Sequence, residues 1–200
     1  MLEDLTFKSL GIVNYYETLE QMRSHINEDE FKNEIWILEH PPVFTLGTAA
    51  NKKHILDSKE IPIIQSDRGG EVTYHGPGQI VIYFLLDIKR LNCGPNKLVA
   101  TIQDFVKELL LKLAIECNFK DGAPGVYVNK KKIASIGLRI SKGKSYHGIS
   151  LNFDMDLSPF KQINPCGYKG LEVTQIKDLN KDISKLELHK MIIDTLRKVF

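Results

Sequence analysis

Hydrophobic and polar residues alternate along this chain with two different periods, and segments of the two kinds follow one another. Residues 15–26, 96–117 and 184–200 carry apolar side chains every three or four positions, which predicts amphipathic helices. Shorter apolar runs rich in Val, Ile, Tyr and Phe predict strands. These runs cover residues 34–40, 43–46, 61–64, 71–74, 79–87, 125–129, 132–140 and 145–153.

The strand predicted at 79–87 is apolar on both faces, so we expect it in the middle of a sheet. Short polar turns at 129–131 and 141–144 predict hairpins between the strands that flank them. Frequent hairpins argue against a purely parallel, doubly wound sheet. The order therefore predicts an α/β fold: a single domain with a mixed, partly antiparallel central sheet flanked by helices.

Composition narrows the function classes. Of the 200 residues, 42% are apolar and 26% are charged, as in soluble globular proteins. A net charge of +2 gives no support to nucleic-acid binding through bulk charge. No run approaches the roughly 18 apolar residues of a membrane span, and acidic residues at the N-terminus predict no secretory signal. Three cysteines without metal-ligand spacing favour a reducing compartment. We expect a cytoplasmic protein that binds neither nucleic acid nor a membrane.

Cys166 is a candidate nucleophile because of its backbone setting. It lies between Pro165, whose ring fixes φ, and Gly167, which tolerates conformations closed to other residues. Such a turn can aim a thiol into a cleft. A thiol is mostly protonated at neutral pH and needs a nearby cation or dipole to supply the reactive thiolate. The alternative is a small buried thiol that packs as a hydrophobic side chain.

Lys132 is a candidate for that cation. Lys130 and Lys131 have the pattern of a solvated turn tip, whereas Lys132 begins an apolar strand that can draw its amine inward. A partly desolvated lysine can exchange protons with a thiol. The pair would indicate covalent acyl chemistry if the fold brings the two side chains together.

The segment 68–79 combines one arginine with four glycines, and its Arg, Tyr and His could line a pocket. Only five of the 27 basic residues are arginines, so an arginine in a glycine-rich segment suggests a specific role. The segment lacks the spacing and lysine of a phosphate-binding loop. A tight hairpin with incidental polar residues is the alternative. Residues 147–152 contain His147 and Asn152, which could form a papain-like Cys–His–Asn arrangement with Cys166. The sequence around these three residues matches no protease signature.

Together these blocks resemble the octanoyltransferase family that starts protein lipoylation, a branch of the lipoate–biotin protein ligase superfamily. The resemblance runs from residues 10–15 to the C-terminal helix. It includes residues 39–47, 68–79, 132–139, 147–152 and 165–167. One departure is Phe84, where the family is expected to have proline. The resemblance implies one domain over residues 1–200, with a ligase-superfamily catalytic core over about 31–200.

The resemblance also implies roles for residues. Cys166 would be the acyl-thioester nucleophile, and Lys132 the residue that lowers the pKa of its thiol. The acyl-substrate pocket would be formed by three segments. These contain Arg68, Gly69, Gly70, Glu71, Val72, Thr73, Tyr74, His75, Ser135, Ile136, Gly137, Gly148, Ile149 and Ser150.

The implied reaction moves an octanoyl group from octanoyl-acyl carrier protein to a specific lysine of a lipoyl domain. The acceptors would be the lipoyl domains of 2-oxoacid dehydrogenases and the glycine cleavage H protein. The donor is a thioester and the product an amide, so the transfer is downhill. It needs no ATP, no cofactor and no metal. Nucleophilic catalysis would divide it into two attacks with a thioester between them.

Three other functions stay open at this point. An ATP-dependent lipoate or biotin protein ligase would share the fold, but it has no use for a thiol nucleophile, and the chain lacks a Gly-Arg-Gly-Arg run. An octanoyl amidotransferase, which passes acyl groups between lipoyl carriers, would also use a cysteine. A non-enzymatic binder of carrier proteins could use lysine-rich turns to attract acidic partners. For the transferase, Lys130, Lys142 and Lys144 are candidates for steering the donor towards Cys166.

Overall fold

The computed structural model describes residues 5–120 and 124–200, without the side chain of Cys166, and in these ranges the strands form two sheets. In chain order, the elements are β1 (Thr6–Ile12), α1 (Tyr15–His25), β2 (Glu34–Glu39), β3 (Val43–Leu46), β4 (Ile63–Gln65), β5 (Val72–His75), β6 (Gln79–Leu85), α2 (Pro95–Lys112), β7 (Gly125–Val128), β8 (Lys131–Ser141), β9 (Lys144–Asn152), α3 (Ile176–Leu179) and α4 (Lys185–Val199).

The large sheet has the order β1-β2-β6-β9-β8-β7, and the small sheet has the order β4-β3-β5. Each sheet contains one parallel pair, β1 with β2 and β3 with β4, and its other pairs are antiparallel. The predicted single α/β domain with a mixed, partly antiparallel sheet is therefore confirmed. Every residue of β6 is buried, as its apolar pattern indicated, because β6 lies between β2 and β9.

The large sheet is covered on both faces. On one face it packs against α2 and α4, whose buried stripes include Leu98, Phe105, Ile192 and Leu196. On the other face Trp36, Val81 and Tyr83 pack against α1. The small sheet has its own apolar cluster around Phe44 and Phe160. None of the helices in the described ranges has the length and apolar character of a membrane span.

Local sequence signals explain where the helices begin. Asn14 caps α1, because its side chain accepts hydrogen bonds from the N–H groups of Tyr16 and Glu17. Ser184 and Glu187 form a capping box at the start of α4. Pro95 occupies the first turn of α2, where its missing N–H would have had no partner in the helix.

Three features of the structure differ from the predictions, and one is the short helix α3, which was not predicted. The helix predicted over 96–117 ends at Lys112, because Ala114 adopts φ +58° and the N–H of Ile115 donates back to the Leu110 carbonyl. The edge strand β1 was not predicted. Most of its side chains are exposed, and Gly11 adds an irregularity, so the strand lacks a clear apolar period.

Candidate active site

A cavity of about 450 Å³ opens on the face of the large sheet that packs against α1. Its floor is formed where β8 and β9 place small residues opposite each other, Ser135 with Ser150 and Gly137 with Gly148. Ser135, Gly137 and Ser150 face the same side of the sheet, because side chains alternate along a strand. A Cβ at Gly148 would instead meet the carbonyl of Ile82 and the ring of Phe84, so glycine there lets β6 and β9 pack closely. Three neighbouring positions on the cavity side therefore carry almost no bulk. The resulting volume falls in the range of small-molecule sites, about 300–1,000 Å³.

The loop between β4 and β5 covers part of this floor. The N–H of Gly69 donates to the Leu138 carbonyl at 3.0 Å, so the loop is bonded directly to β8. A Cβ at Gly137 would lie 3.0 Å from the carbonyl oxygen of Gly69, which is tighter than ordinary contact. Glycine at 137 thus permits the close approach of the two backbones. The loop and the strand together enclose the cavity.

Arg68 fixes the shape of this loop. Its buried guanidinium donates to Oγ1 and the carbonyl oxygen of Thr45 and to the carbonyls of Gly69 and Glu71, at 2.7–3.1 Å. A planar fork of donors can reach several acceptors at once, which a lysine cannot. Arg68 therefore ties β3 to the loop and to the start of β5.

A chain of buried hydrogen bonds leads from Thr45 across both sheets. The hydroxyl of Thr45 lies 3.3 Å from Nε2 of His75, and Nδ1 of His75 lies 2.7 Å from Oε1 of Gln79. The Gln79 amide donates to Asn152, and the Asn152 amide donates to the carbonyl of Thr174. Burial lowers the pKa of His75 well below its usual value. His75 is therefore neutral, and it donates through Nδ1 and accepts through Nε2.

Asp67 anchors a second polar cluster at the edge of the cavity. Its carboxylate accepts hydrogen bonds from Nε2 of His147, the hydroxyl of Tyr146 and the guanidinium of Arg23, at 2.7–3.2 Å. Burial alone would raise the pKa of Asp67, but these three donors outweigh it and hold the pKa well below its usual range. Burial and the bond to Asp67 raise the pKa of Tyr146 to about 12. The carboxylate thus stays charged and holds α1, the loop and β9 together.

Lys132 is buried at the start of β8, with 2% of its surface exposed. Its backbone pairs with the segment 172–174: the Lys132 N–H donates to Glu172, and the Thr174 N–H donates to Lys132, both at 2.9 Å. Its Nζ donates to the carbonyl of Pro124 at 2.9 Å and lies 5.6 Å from the centre of the Tyr127 ring. The amine predicted to be drawn inward is indeed buried.

Cys166 lies in a 3₁₀ turn, Pro165–Gly167, that packs against β5. The turn is anchored because the Asn164 N–H donates to the carbonyl of His54 at 2.7 Å. Gly167 adopts φ +75°, a conformation that favours glycine. The side chain of Cys166 lies outside the described part of the structure. Tyr168, two residues later, lines the cavity, as does Pro124, the hydrogen-bond partner of Lys132.

All but one of the residues predicted to form the substrate pocket line this cavity. They are Arg68, Gly69, Gly70, Glu71, Val72, Thr73, His75, Ser135, Ile136, Gly137, Gly148, Ile149 and Ser150. Tyr74 lies elsewhere, because alternation along β5 turns its ring into the cluster of the small sheet, 5.5 Å from the rings of Phe44 and Phe160. Whether the lining residues bind the substrate stays a prediction.

Several residues at the site were not singled out in the sequence. Tyr15 and Tyr83 form part of the cavity wall, and His40 lies behind them. Asp67 directly precedes Arg68, and its place next to the glycine-rich segment 68–79 is the one sequence signal that could have identified Asp67. His54 and its partner Glu71 lie beside Gly167, and no local motif marks His54.

Lys142 and Lys144 lie at the opposite end of β8 from Lys132, and their role in steering the donor stays a prediction. β8 is an extended strand, so the ten residues from Lys132 to Lys142 span about 30 Å. Nζ of Lys144 instead donates to the carbonyls of Ile26 and Glu28, just beyond the end of α1. A cation is favourable there because of the helix dipole.

Comparison with known proteins identifies close relatives of the chain. The family profile of the lipoyl protein ligase A/B catalytic domain matches residues 14–197. The octanoyltransferase of Dechloromonas aromatica is 55% identical over 175 residues, which cover 86% of this chain and 85% of that protein. The octanoyltransferase of Marinomonas sp. is 50% identical over 182 residues, which cover 90% and 85%.

Solved structures share the fold at low identity. The bipartite lipoate protein ligase of Thermoplasma acidophilum, solved in a study of that ligase and its E2 lipoyl domain, gives a TM-score of 0.75 at 15% identity. The match covers all of this chain and 84% of that one. The biotin protein ligase of Aquifex aeolicus in complex with biotin and ATP gives 0.56 at 17% identity, over 98% and 72%. These likenesses establish the fold alone.

Replacing Arg68 with lysine should destabilise the protein by about 2–3 kcal/mol, because hydrogen bonds from a charged donor are lost and buried acceptors stay unpaired. Chemical unfolding of wild type and Arg68→Lys would measure this difference. Arg90→Lys is the matched control, since Arg90 is largely exposed. Equal losses in the two variants would show that the guanidinium fork has no special role.

The free energy of unfolding should fall as the pH falls from about 6.5 to 4. Burial lowers the pKa of His40 to about 4, so below pH 6.5 the unfolded chain takes up a proton that the folded chain refuses. At 1.36 kcal/mol per pH unit, this histidine contributes about 3 kcal/mol to the loss. His40→Gln should flatten the slope, as followed by urea unfolding across this range. An unchanged slope would contradict the assignment.

Proposed function

The chain belongs to the lipoyl protein ligase A/B catalytic-domain family and, within it, to the octanoyltransferases, and from this premise we propose that it moves an octanoyl group through a thioester on Cys166. The donor is octanoyl-acyl carrier protein. The acceptor is a lysine of a lipoyl domain in a lipoate-dependent enzyme. The observation that carries the proposal is identity of 50% or more to curated octanoyltransferases over most of the chain.

The cavity supports this proposal, because it suits an unbranched acyl chain. Its floor of glycine and serine leaves a groove along two strands, and Tyr15, Val81 and Tyr83 contribute side chains from the apolar cluster on that face of the sheet. Burial of each methylene group contributes about 0.8 kcal/mol, so an octanoyl chain is held mainly by the hydrophobic effect. Tyr168, two residues after Cys166, and Pro124, the hydrogen-bond partner of Lys132, both line this cavity. The thioester carbonyl would lie close to them.

The reaction would proceed in two attacks. The Cys166 thiolate adds to the carbonyl carbon of the donor thioester, and the carrier leaves as a thiolate that takes up one proton. The acyl group is then joined to sulfur of Cys166. In the second attack, the neutral amine of the acceptor lysine adds to the same carbon, the C–S bond breaks and an amide forms. The amide is more stable than the thioester, so neither ATP nor a cofactor is needed.

Lys132 would supply the charge and the proton for this cycle. As an ammonium group it stabilises the Cys166 thiolate, and a nearby cation is the usual means of lowering the pKa of a thiol. It gives a proton to the departing carrier and recovers one from the acceptor amine. Its burial and its bond to Pro124 support the role, because they fix Nζ next to a residue that lines the cavity.

The acceptors would be the lipoyl domains of 2-oxoacid dehydrogenases and the glycine cleavage H protein, and the compartment the cytoplasm. Omitting ATP separates this enzyme from a ligase, because a transferase keeps full activity without it. Supplying octanoyl-acyl carrier protein as the sole donor separates it from an amidotransferase, which draws its acyl group from another lipoyl carrier. A binder without activity would form no amide at all.

Cys166→Ala and Cys166→Ser should both lose octanoyl transfer and keep the fold. Intact-protein mass after mixing with octanoyl-acyl carrier protein should show one octanoyl group on wild type and none on either variant. Cys93 and Cys117, which are free thiols, provide the matched control as a double alanine variant. An adduct that survives in Cys166→Ala would place the nucleophile elsewhere.

Lys132→Arg should slow acyl-enzyme formation by about 10²–10⁴-fold, because a guanidinium keeps the charge but does not exchange protons. Stopped reactions followed by intact mass would give the rate. Lys130→Arg, at an exposed turn, is the control. Full activity of Lys132→Arg would leave Lys132 with a purely electrostatic role and remove its part in proton transfer.

A further inference from the structure

A histidine–carboxylate pair lies against the turn that carries Cys166. Nδ1 of His54 is 3.1 Å from Oε2 of Glu71, and a Cβ built on Gly167 would lie 3.1 Å from Cε1 of His54. The same Cβ would lie 3.5 Å from Oε1 of Glu71. The pair therefore packs on the residue next to Cys166, and Glu71 also lines the acyl cavity.

The backbone holds this pair in place. The His54 carbonyl accepts the N–H of Asn164, so the imidazole and the turn are joined by the chain itself. The N–H of Asn51 donates to Oε2 of Glu71 at 3.1 Å and orients the carboxylate. An imidazole that donates from Nδ1 to a carboxylate keeps, when neutral, a lone pair on Nε2. The geometry thus provides an oriented proton acceptor beside the turn.

The proposed reaction needs such a proton acceptor. The lysine that receives the octanoyl group is an ammonium ion in water, whereas the product is an amide nitrogen with one hydrogen, so this lysine gives up two protons. One of them restores Lys132, which gave its own proton to the departing carrier thiol. The other is the one proton that the whole reaction releases, and it must leave the site before the amine can attack.

Lys132 is badly placed for that second proton. It is buried, and in each cycle its neutral amine can take up only one proton. The side chain of His54 is 26% exposed, so a proton that it accepts can pass on to solvent. The two bases therefore differ in access to water, as their tasks require.

We propose that His54, oriented by Glu71, accepts the first proton from the ammonium group of the incoming acceptor lysine and releases it to water. This role rests on the proposed two-step function and deepens it, because it concerns the second attack alone. The first attack, which forms the thioester on Cys166, requires no proton acceptor at His54. His54 thus takes a proton from the lysine of the lipoyl domain and not from the thiol of Cys166.

The test compares two nucleophiles on one preformed intermediate. Octanoyl-enzyme of wild type and of His54→Gln is prepared with octanoyl-acyl carrier protein and checked by intact mass. Each is then mixed with a purified lipoyl domain or with hydroxylamine, which is largely neutral at neutral pH. We expect His54→Gln to lose about 10²-fold or more in transfer to the lysine and to keep its rate with hydroxylamine.

Glu71→Gln keeps the size of the carboxylate and an acceptor for Nδ1, so it should show a smaller loss in the same direction. His189→Gln is the control, because His189 bonds to Ser9 on the opposite side of the fold and belongs to no part of the site. Thermal unfolding of each variant checks that the fold is intact.

The outcomes separate this proposal from the one on which it rests. A wild type that forms no octanoyl adduct overturns the two-step function, and the role of His54 with it. If the adduct forms normally, equal losses of His54→Gln with both nucleophiles show that the residue only shapes the turn. Slower formation of the adduct places His54 in the first attack instead. Unchanged transfer to the lysine also overturns the proposal.

Discussion

The site depends on one constraint: two neighbouring pairs of facing residues in the large sheet must stay small. Ser135, Ser150 and Gly137 leave open the space between the two sheets, while Gly148 is needed because a Cβ there would meet the Ile82 carbonyl of β6. Backbone contact keeps the gap narrow, since the Gly69 N–H bonds to β8 and a Cβ at Gly137 would lie 3.0 Å from the Gly69 carbonyl oxygen. Rigid main-chain groups, rather than adaptable side chains, therefore define the cavity.

Hydrogen bonds fix how the two sheets sit across that gap. Buried polar groups are costly unless each finds a partner. Here a chain of hydrogen bonds begins at Arg68 and passes through His75 and Gln79 to the segment beside Lys132. Each side chain in it donates a hydrogen bond to the next. A charged imidazole could not accept at Nε2, so burial and the bonding pattern both require a neutral His75. The segment that pairs with Lys132 is thus positioned from the far side of the cavity.

Relatives of this fold perform different chemistry, and the fold alone does not decide between them. The lipoate and biotin ligases with which it shares its architecture are at 15–17% identity. In this chain the groups available for chemistry are the Pro165–Gly167 turn with its cysteine, a buried lysine at the start of β8, and the His54–Glu71 pair beside the turn. In the proposed mechanism they would supply a nucleophile and two proton acceptors, which is all that transfer from a thioester donor requires.

The family resemblance supplied two of the cavity segments, 135–137 and 148–150. The sequence pattern by itself determined the α/β class, most strands, the approximate starts of three helices, and the glycine-rich segment 68–79 as a pocket wall. Those features follow from apolar period and glycine, which act over a few neighbouring positions. It did not determine β1, whose exposed edge has no apolar period, or the early end of α2, which a local reversal at Ala114 sets. Nor could it place Lys144 at the end of α1 or His54 beside Gly167. Only the tertiary structure decided those contacts, because they join residues more than a hundred positions apart and depend on how the two sheets and α1 pack together.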